Sequence, residues 1–211
     1  VILRCAAVLF DVDGTLVDST PLVERAAREW AAEYGIDPDE FLSDAHGRRT
    51  GDRVADFLPP DRVPKATARL DALESTGTDG ITALPGAMDL LAAMNGLPHA
   101  FVTSMDRQQL KLRTTVAGVP VPPVVVSAED VRDGKPDPSG YLLAAAHLGV
   151  DPSACVVIED APAGIAAGRA AGATVLAVTT SHDRSVLTAA HHIIGDLTSV
   201  TTTPEGVRLA L

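Results

Sequence analysis

The sequence predicts an α/β protein: a doubly wound, mainly parallel sheet with an inserted helical cap domain. Three observations carry this. Short apolar runs alternate with longer segments of helical period. Acidic, hydroxyl and lysine motifs fall at the carboxyl ends of those runs, where such sheets place their sites. Residues 18–84 interrupt the alternation with helices only. The runs Ala6 to Phe10, His99 to Thr103, Val124 to Val126, Cys155 to Ile158 and Thr174 to Val178 read as strands buried on both faces. Between them, helices are predicted over Gly86 to Asn95, Arg107 to Ala117, Ser139 to Leu148 and Ala161 to Ala171. Asp137-Pro138 suits a helix start, and Gly96, Gly118, Gly149 and Gly172 suit helix ends.

In the interruption, Leu22, Val23, Ala26, Ala27, Trp30, Ala31 and Tyr34 recur at helical spacing after Thr20-Pro21, and Gly35 closes that helix. Further helices are expected from Asp37-Pro38, over Thr50 to Leu58 and over Pro64 to Ser75. The expected division is a core of residues 1–17 and 85–211 and a cap of 18–84, with linkers near Val17–Ser19 and Thr78–Pro85. Trp30 and Tyr34 read as cap core. The tail from Thr198 to Leu211 reads as a short edge hairpin.

Composition narrows the function. Hydrophobic residues make up 46 % of the 211, enough for a sizeable core. Seventeen Lys and Arg against 28 Asp and Glu give a formal charge of −11, and aromatics are only 3 %, which argues against a nucleic-acid partner. No apolar run is long enough to span a membrane. Two cysteines, Cys5 and Cys155, cannot build a disulfide framework and suit a reducing, cytoplasmic setting. A monomer or weak homo-oligomer is expected.

Four motifs carry chemistry. Asp11 and Asp13, at i and i+2 after the first strand, lie on one side of an extended segment, and Gly14 permits a tight turn that leaves amides facing an anion. Glu159-Asp160 ends another apolar run. Four converging carboxylates repel, so a hard divalent cation is implied, with Mg²⁺ the natural choice. Thr103-Ser104 could meet a phosphoryl group, although Ser and Thr are also ordinary N-caps. Lys135, between Gly134 and Pro136, could place an ammonium, although a lone loop lysine is ordinarily a solvated charge.

In this order, DVDGTLVDS at 11–19, Thr103, Lys135 in GKPDP and Glu159-Asp160 in EDAPAGIAAGRAAG, the chain resembles the haloacid dehalogenase superfamily over nearly its whole length. The last string and HGRRTGD at 46–52 most resemble its sugar phosphate and glycerol phosphate phosphatase branch. The resemblance implies a Rossmann-like core and a Mg²⁺-dependent phosphatase acting on a small phosphorylated metabolite. Asp11 would be the nucleophile that becomes an aspartyl phosphate, and Asp13 the acid and then the base. Thr103 and Lys135 would hold the phosphoryl group. Asp11, Asp160 and Asp13, the last through its main-chain carbonyl, would bind the metal, with Glu159 acting through a water or Lys135. Gly14, Thr15 and Ser104 would contact substrate from the core, and His46, Gly47 and Arg49 from the cap. A phosphomutase of the beta-phosphoglucomutase type shares all four motifs. A receiver-like signalling module is disfavoured by Asp-x-Asp-Gly-Thr and the helical insertion, and a dehalogenase proper by Asp13.

Overall fold

The computed structural model describes residues 1–43, 47–94 and 96–210. Six strands form one parallel sheet: β2 (Ala7–Phe10), β5 (His99–Val102), β6 (Val125–Val126), β7 (Cys155–Glu159), β8 (Thr174–Val178) and β9 (His192–Ile194), in the spatial order β6-β5-β2-β7-β8-β9. Every residue of β2 and β7 is buried, as their unbroken apolar runs require. Helices cover both faces. Val8, Phe10, Phe101 and Ile158 pack with Leu90 and Leu91 of α5 (Ala87–Ala93) and Leu110 of α6 (Arg107–Ala117). The alternating residues Ala7, Leu9, Ala100 and Val157 pack with Tyr141 and Ala144 of α7 (Ser139–Leu148) and Ile165 of α8 (Pro162–Ala170).

The sheet runs outward from β2 in both directions, so β2 sits at the switch point. Phe10 is in register with Phe101 on one side and Ile158 on the other. Asp11 just past β2, Thr103 just past β5 and Glu159 at the end of β7 therefore stand at nearly one level.

The four helices α1 (Thr20–Tyr34), α2 (Pro38–Leu42), α3 (Thr50–Ala55) and α4 (Val63–Glu74) have an apolar cluster of their own. Trp30 anchors it, stacked on Tyr34 and Phe41 at 4.8 and 4.5 Å, with its indole N–H donating to the Ala66 carbonyl at 2.8 Å. The third helix stops at Ala55, short of Leu58. The two connections to the core pair with each other: β3 (Val17–Asp18) and β4 (Thr82–Ala83) form an antiparallel ribbon. Where the sequence suggested plain linkers, the chain crosses between the two regions on hydrogen-bonded strands. The tail does form a hairpin, β10 (Val200–Thr203) with β11 (Gly206–Leu209), but it joins β1 (Ile2–Arg4) in a separate three-stranded antiparallel sheet. Neither β1 nor β9 was legible, because both are three residues long and each has one buried residue.

Candidate active site

At the carboxyl end of β2 the sheet's last hydrogen bond positions Asp11, whose N–H donates to the Ile158 carbonyl at 3.0 Å. Lys135 reaches in from the loop before α7. Its ammonium donates to Asp11 Oδ1, to Glu159 Oε1 at 2.6 Å and to the Val102 carbonyl at 3.2 Å. Glu159 also accepts from the Tyr141 hydroxyl at 2.7 Å, and its Oε2 accepts from the amides of Asp160 and Ala161 at 3.0 and 3.2 Å. Its carboxylate lies so close to Gly164 that a Cβ there would collide with it. Asp160 accepts from the Ser181 hydroxyl and, at 3.4 Å, from Thr15. It packs against Gly14, where φ is +78° and a Cβ would overlap the carboxylate. The amides of Gly14 and Thr15 close this turn on the carbonyls of Val17 and Val12 at 2.8 and 3.3 Å, where the sequence suggested open donors. The Gly14 carbonyl accepts from Thr180.

Asp11, Glu159, Asp160 and Lys135 are all buried. Burial, with Glu159 beside it, pushes the Asp160 carboxyl up to about 8. Burial also raises Asp11 well above the usual carboxylate range, against the opposing pull of Lys135. For Lys135 burial would lower the value, but Asp11 and Glu159 overcome it and hold the ammonium charged. Tyr141 is raised by burial and by Glu159, so it remains a donor.

The donor set fits a hard divalent cation. Asp11, Glu159 and Asp160 each offer a carboxylate oxygen, all within 4.8 Å of one another. Asp11 Oδ2 is buried with no hydrogen-bond partner, an orphan that a cation would satisfy. A cation would also reverse the repulsion that raises Asp160.

Above this floor is a cleft lined by Asp11, Asp13, Thr103, Ser104 and Gly47, among others. Thr103 is buried, with its Oγ accepting from the Met105 amide at 3.1 Å. Ser104 donates to the Gly47 carbonyl at 2.8 Å, joining core to insertion. Asp13 turns its carboxylate to the far wall, accepting from Ser19 at 2.9 Å and from Arg113. Arg113 also donates to Glu74 at 2.9 Å, and Glu74 faces Arg53 at 3.6 Å. This chain of charges joins α6 to α3 and α4. Arg113, Glu74, Arg53, Ser19, Tyr141 and Ser181 were all missed by sequence reading. Their one available signal was a buried-face position occupied by a polar residue, which for Arg113 and Glu74 could be noticed only after the helices were placed.

Among the cap positions singled out in the sequence, Arg49 caps the start of α3 and donates to the carbonyls of Val131 and Arg132 at 2.8 and 2.9 Å, across to the core loop. It borders a separate hollow beside Lys135, while its neighbour Arg48 lines the cleft. His46 lies outside the described residues.

The sequence model of the haloacid dehalogenase-like hydrolases matches residues 5–172, and the chain belongs to that family. Hexitol phosphatase A of Escherichia coli is 44 % identical over 208 residues, covering 96 % of this chain and 96 % of its own. Glycerol-1-phosphate phosphohydrolase 1 of Saccharomyces cerevisiae is 36 % identical over 198 residues, covering 88 % of this chain and 79 % of its own. Among solved structures, a HAD family hydrolase from Deinococcus radiodurans with bound phosphate and sodium shares 31 % identity at a TM-score of 0.65, covering 90 % of this chain and 91 % of that one. Among the described residues, no helix is long and apolar enough to cross a membrane.

Proposed function

We propose that the chain is a Mg²⁺-dependent phosphatase that hydrolyses small sugar or polyol phosphates through an aspartyl phosphate on Asp11, with residues 18–84 acting as a cap over the cleft. A reducing, cytoplasmic setting suits its two unpaired thiols. The observation that carries this reading is the Asp11 carboxylate. One oxygen is held by a buried, charged Lys135 and the other has no protein partner, at the floor of a cleft that Asp13 also lines.

Asp11, Asp160 and Glu159 would hold the metal, with the Asp13 carbonyl as a further donor. When bound, Mg²⁺ supplies charge neutralisation between these carboxylates and the phosphoryl oxygens. In the first step the Asp11 carboxylate attacks phosphorus, the bond to the sugar oxygen breaks, and Asp13, turned from Arg113 toward the substrate and carrying a proton, protonates that oxygen. In the second, Asp13 takes a proton from water, which attacks phosphorus and frees Asp11 and inorganic phosphate. Lys135 offsets the negative charge that otherwise opposes attack by a carboxylate on a phosphate dianion, and Glu159 and Tyr141 keep the ammonium on target. Thr103 and Ser104 border the position of the phosphoryl group. Gly47 remains the cap's contribution to the cleft, with His46 beside it in sequence, whereas Arg49 and the amides of Gly14 and Thr15 are engaged by protein carbonyls and shape the site from behind.

Phosphate release from a panel of phosphorylated metabolites with Mg²⁺ tests the proposal. Asp11→Asn should lower turnover by roughly 10³-fold or more. Undiminished turnover by that variant would remove the nucleophile. Isomerised sugar phosphate without free phosphate would make the enzyme a mutase.

A further inference from the structure

The wall of the cleft opposite Asp11 is built jointly by the helical insertion and the core. Glu74 stands at the end of α4, Gln109 in the first turn of α6 and Arg113 one turn on. They are 4 %, 2 % and 1 % exposed, and all three line the cleft. Gln109 is half of a reciprocal helix cap. Its backbone N–H donates to Asp106 Oδ1 at 2.7 Å, and its Oε1 accepts from the Asp106 N–H at 3.3 Å. That pairing decides which end of the amide faces the helix start, so Nε2 is the atom left over. Nε2 has no hydrogen-bond partner; neither has Arg113 Nε, nor Glu74 Oε1, whose neighbour Arg53 Nη1 lies at 3.6 Å, beyond hydrogen-bond distance. Buried polar atoms left unpaired are costly, and a ligand hydroxyl both donates and accepts.

The charges of this wall cancel. Arg113 is paired with Asp13 and Glu74, Arg53 with Glu74, and Arg48 at the mouth with Asp56 at 2.7 Å. A second phosphate or a carboxylate on the substrate would meet Arg53 and Arg113 with their charge already balanced by Glu74 and Asp13, and would have to lie against the Glu74 carboxylate between them. We propose that Gln109 and Glu74 form a leaving-group subsite for a neutral, hydroxyl-rich alcohol. Gln109 Nε2 donates to one hydroxyl and Glu74 Oε1 accepts from another, and the subsite rejects substrates that carry a second anion. This rests on the phosphatase reading and narrows it.

The test is a comparison of kcat/KM, with Mg²⁺, on four substrates: glucitol 6-phosphate, 6-phosphogluconate, fructose 1,6-bisphosphate and p-nitrophenyl phosphate. The neutral hexitol phosphate should exceed both doubly anionic compounds by roughly tenfold or more. Gln109→Leu should lower the ratio of glucitol 6-phosphate to p-nitrophenyl phosphate by roughly tenfold. Gln109→Glu keeps an acceptor for the helix cap but lacks the donor, and should lower that ratio too, which separates the subsite from a damaged helix start. Glu74→Gln should shift the preference toward fructose 1,6-bisphosphate. Hydrolysis of either doubly anionic compound as well as the hexitol phosphate, or ratios that the Gln109 and Glu74 variants leave unchanged, would overturn the subsite while the phosphatase reading stands. No phosphate from any of the four would overturn that reading and the subsite with it.

Discussion

The floor and the far wall of the same cleft are both buried and both charged, yet they are balanced differently. On the floor, three carboxylates (Asp11, Glu159 and Asp160) face one ammonium, Lys135. On the wall, two carboxylates (Asp13 and Glu74) face two guanidinium groups (Arg113 and Arg53). The wall is complete as a set of protein charges. The floor carries an excess of negative charge, which shows in the raised Asp160 and Asp11 and in the orphan Asp11 Oδ2. Burying like charges together is tolerated only where something else completes the site. The difference therefore separates a region shaped around a cation and a phosphoryl group from one shaped around an uncharged organic group.

The largest effect expected is on the floor. Lys135→Met removes its only ammonium and should lower kcat by roughly 10²–10³-fold, as loss of a preorganised electrostatic contact does. It should also lower stability by roughly 3–5 kcal/mol in urea titrations without metal. Mg²⁺ should restore part of that stability, because it supplies the missing positive charge. A stability loss that Mg²⁺ leaves untouched would contradict the cation reading of the floor.

On the wall, Arg113→Met strands Asp13 and Glu74 and should cost roughly 3 kcal/mol. Here added Mg²⁺ should recover none of the loss beyond what it gives the wild type. Equal rescue of both variants would erase the contrast between the two regions.

The most gradual effect, spread over several pH units, is on pH dependence. With the Asp160 carboxyl pushed up from 3.8 to about 8, the folded metal-free protein holds a proton there that the unfolded chain has released. Its contribution to stability is fully present below about pH 4 and is lost as pH rises through about 8. The melting temperature without metal should therefore drift downward across that window, relative to an Asp160→Asn variant, and Mg²⁺ should flatten the drift. An upward drift unique to the wild type would show that Asp160 is ionised without metal.

How far all this is legible beforehand depends on the kind of signal. The helices over Arg107–Ala117 and Ser139–Leu148 come out at their full length, because a capping Asp or a proline starts each and a left-handed glycine ends each. The strands of the sheet centre come out within a residue or two, since a run buried on both faces leaves no ambiguity. The acids of the floor are legible because they end or follow such runs, and neighbouring parallel strands deliver their ends to one place; Lys135 lies in the loop before α7, and only the family resemblance marked it as part of the site. The charged wall is not. Asp13 and Arg113 are 100 residues apart, and Arg113 and Glu74 are 39 apart, on helices whose approach no local pattern records. Arg49 shows the same limit. As a residue type it reads as a cation for substrate, and its placement turns it to two core carbonyls.

Hydropathy period, caps and the residues at strand ends thus suffice for the class of fold and for the acids at the strand tips, Asp11 and Glu159-Asp160, because each depends on neighbours within a few residues along the chain. Which charges neutralise one another, which polar atoms remain unpaired, and whether the cleft accepts a second anion were decided only when distant helices packed. Charge compensation acts through space over a few ångströms, and only folding sets those distances.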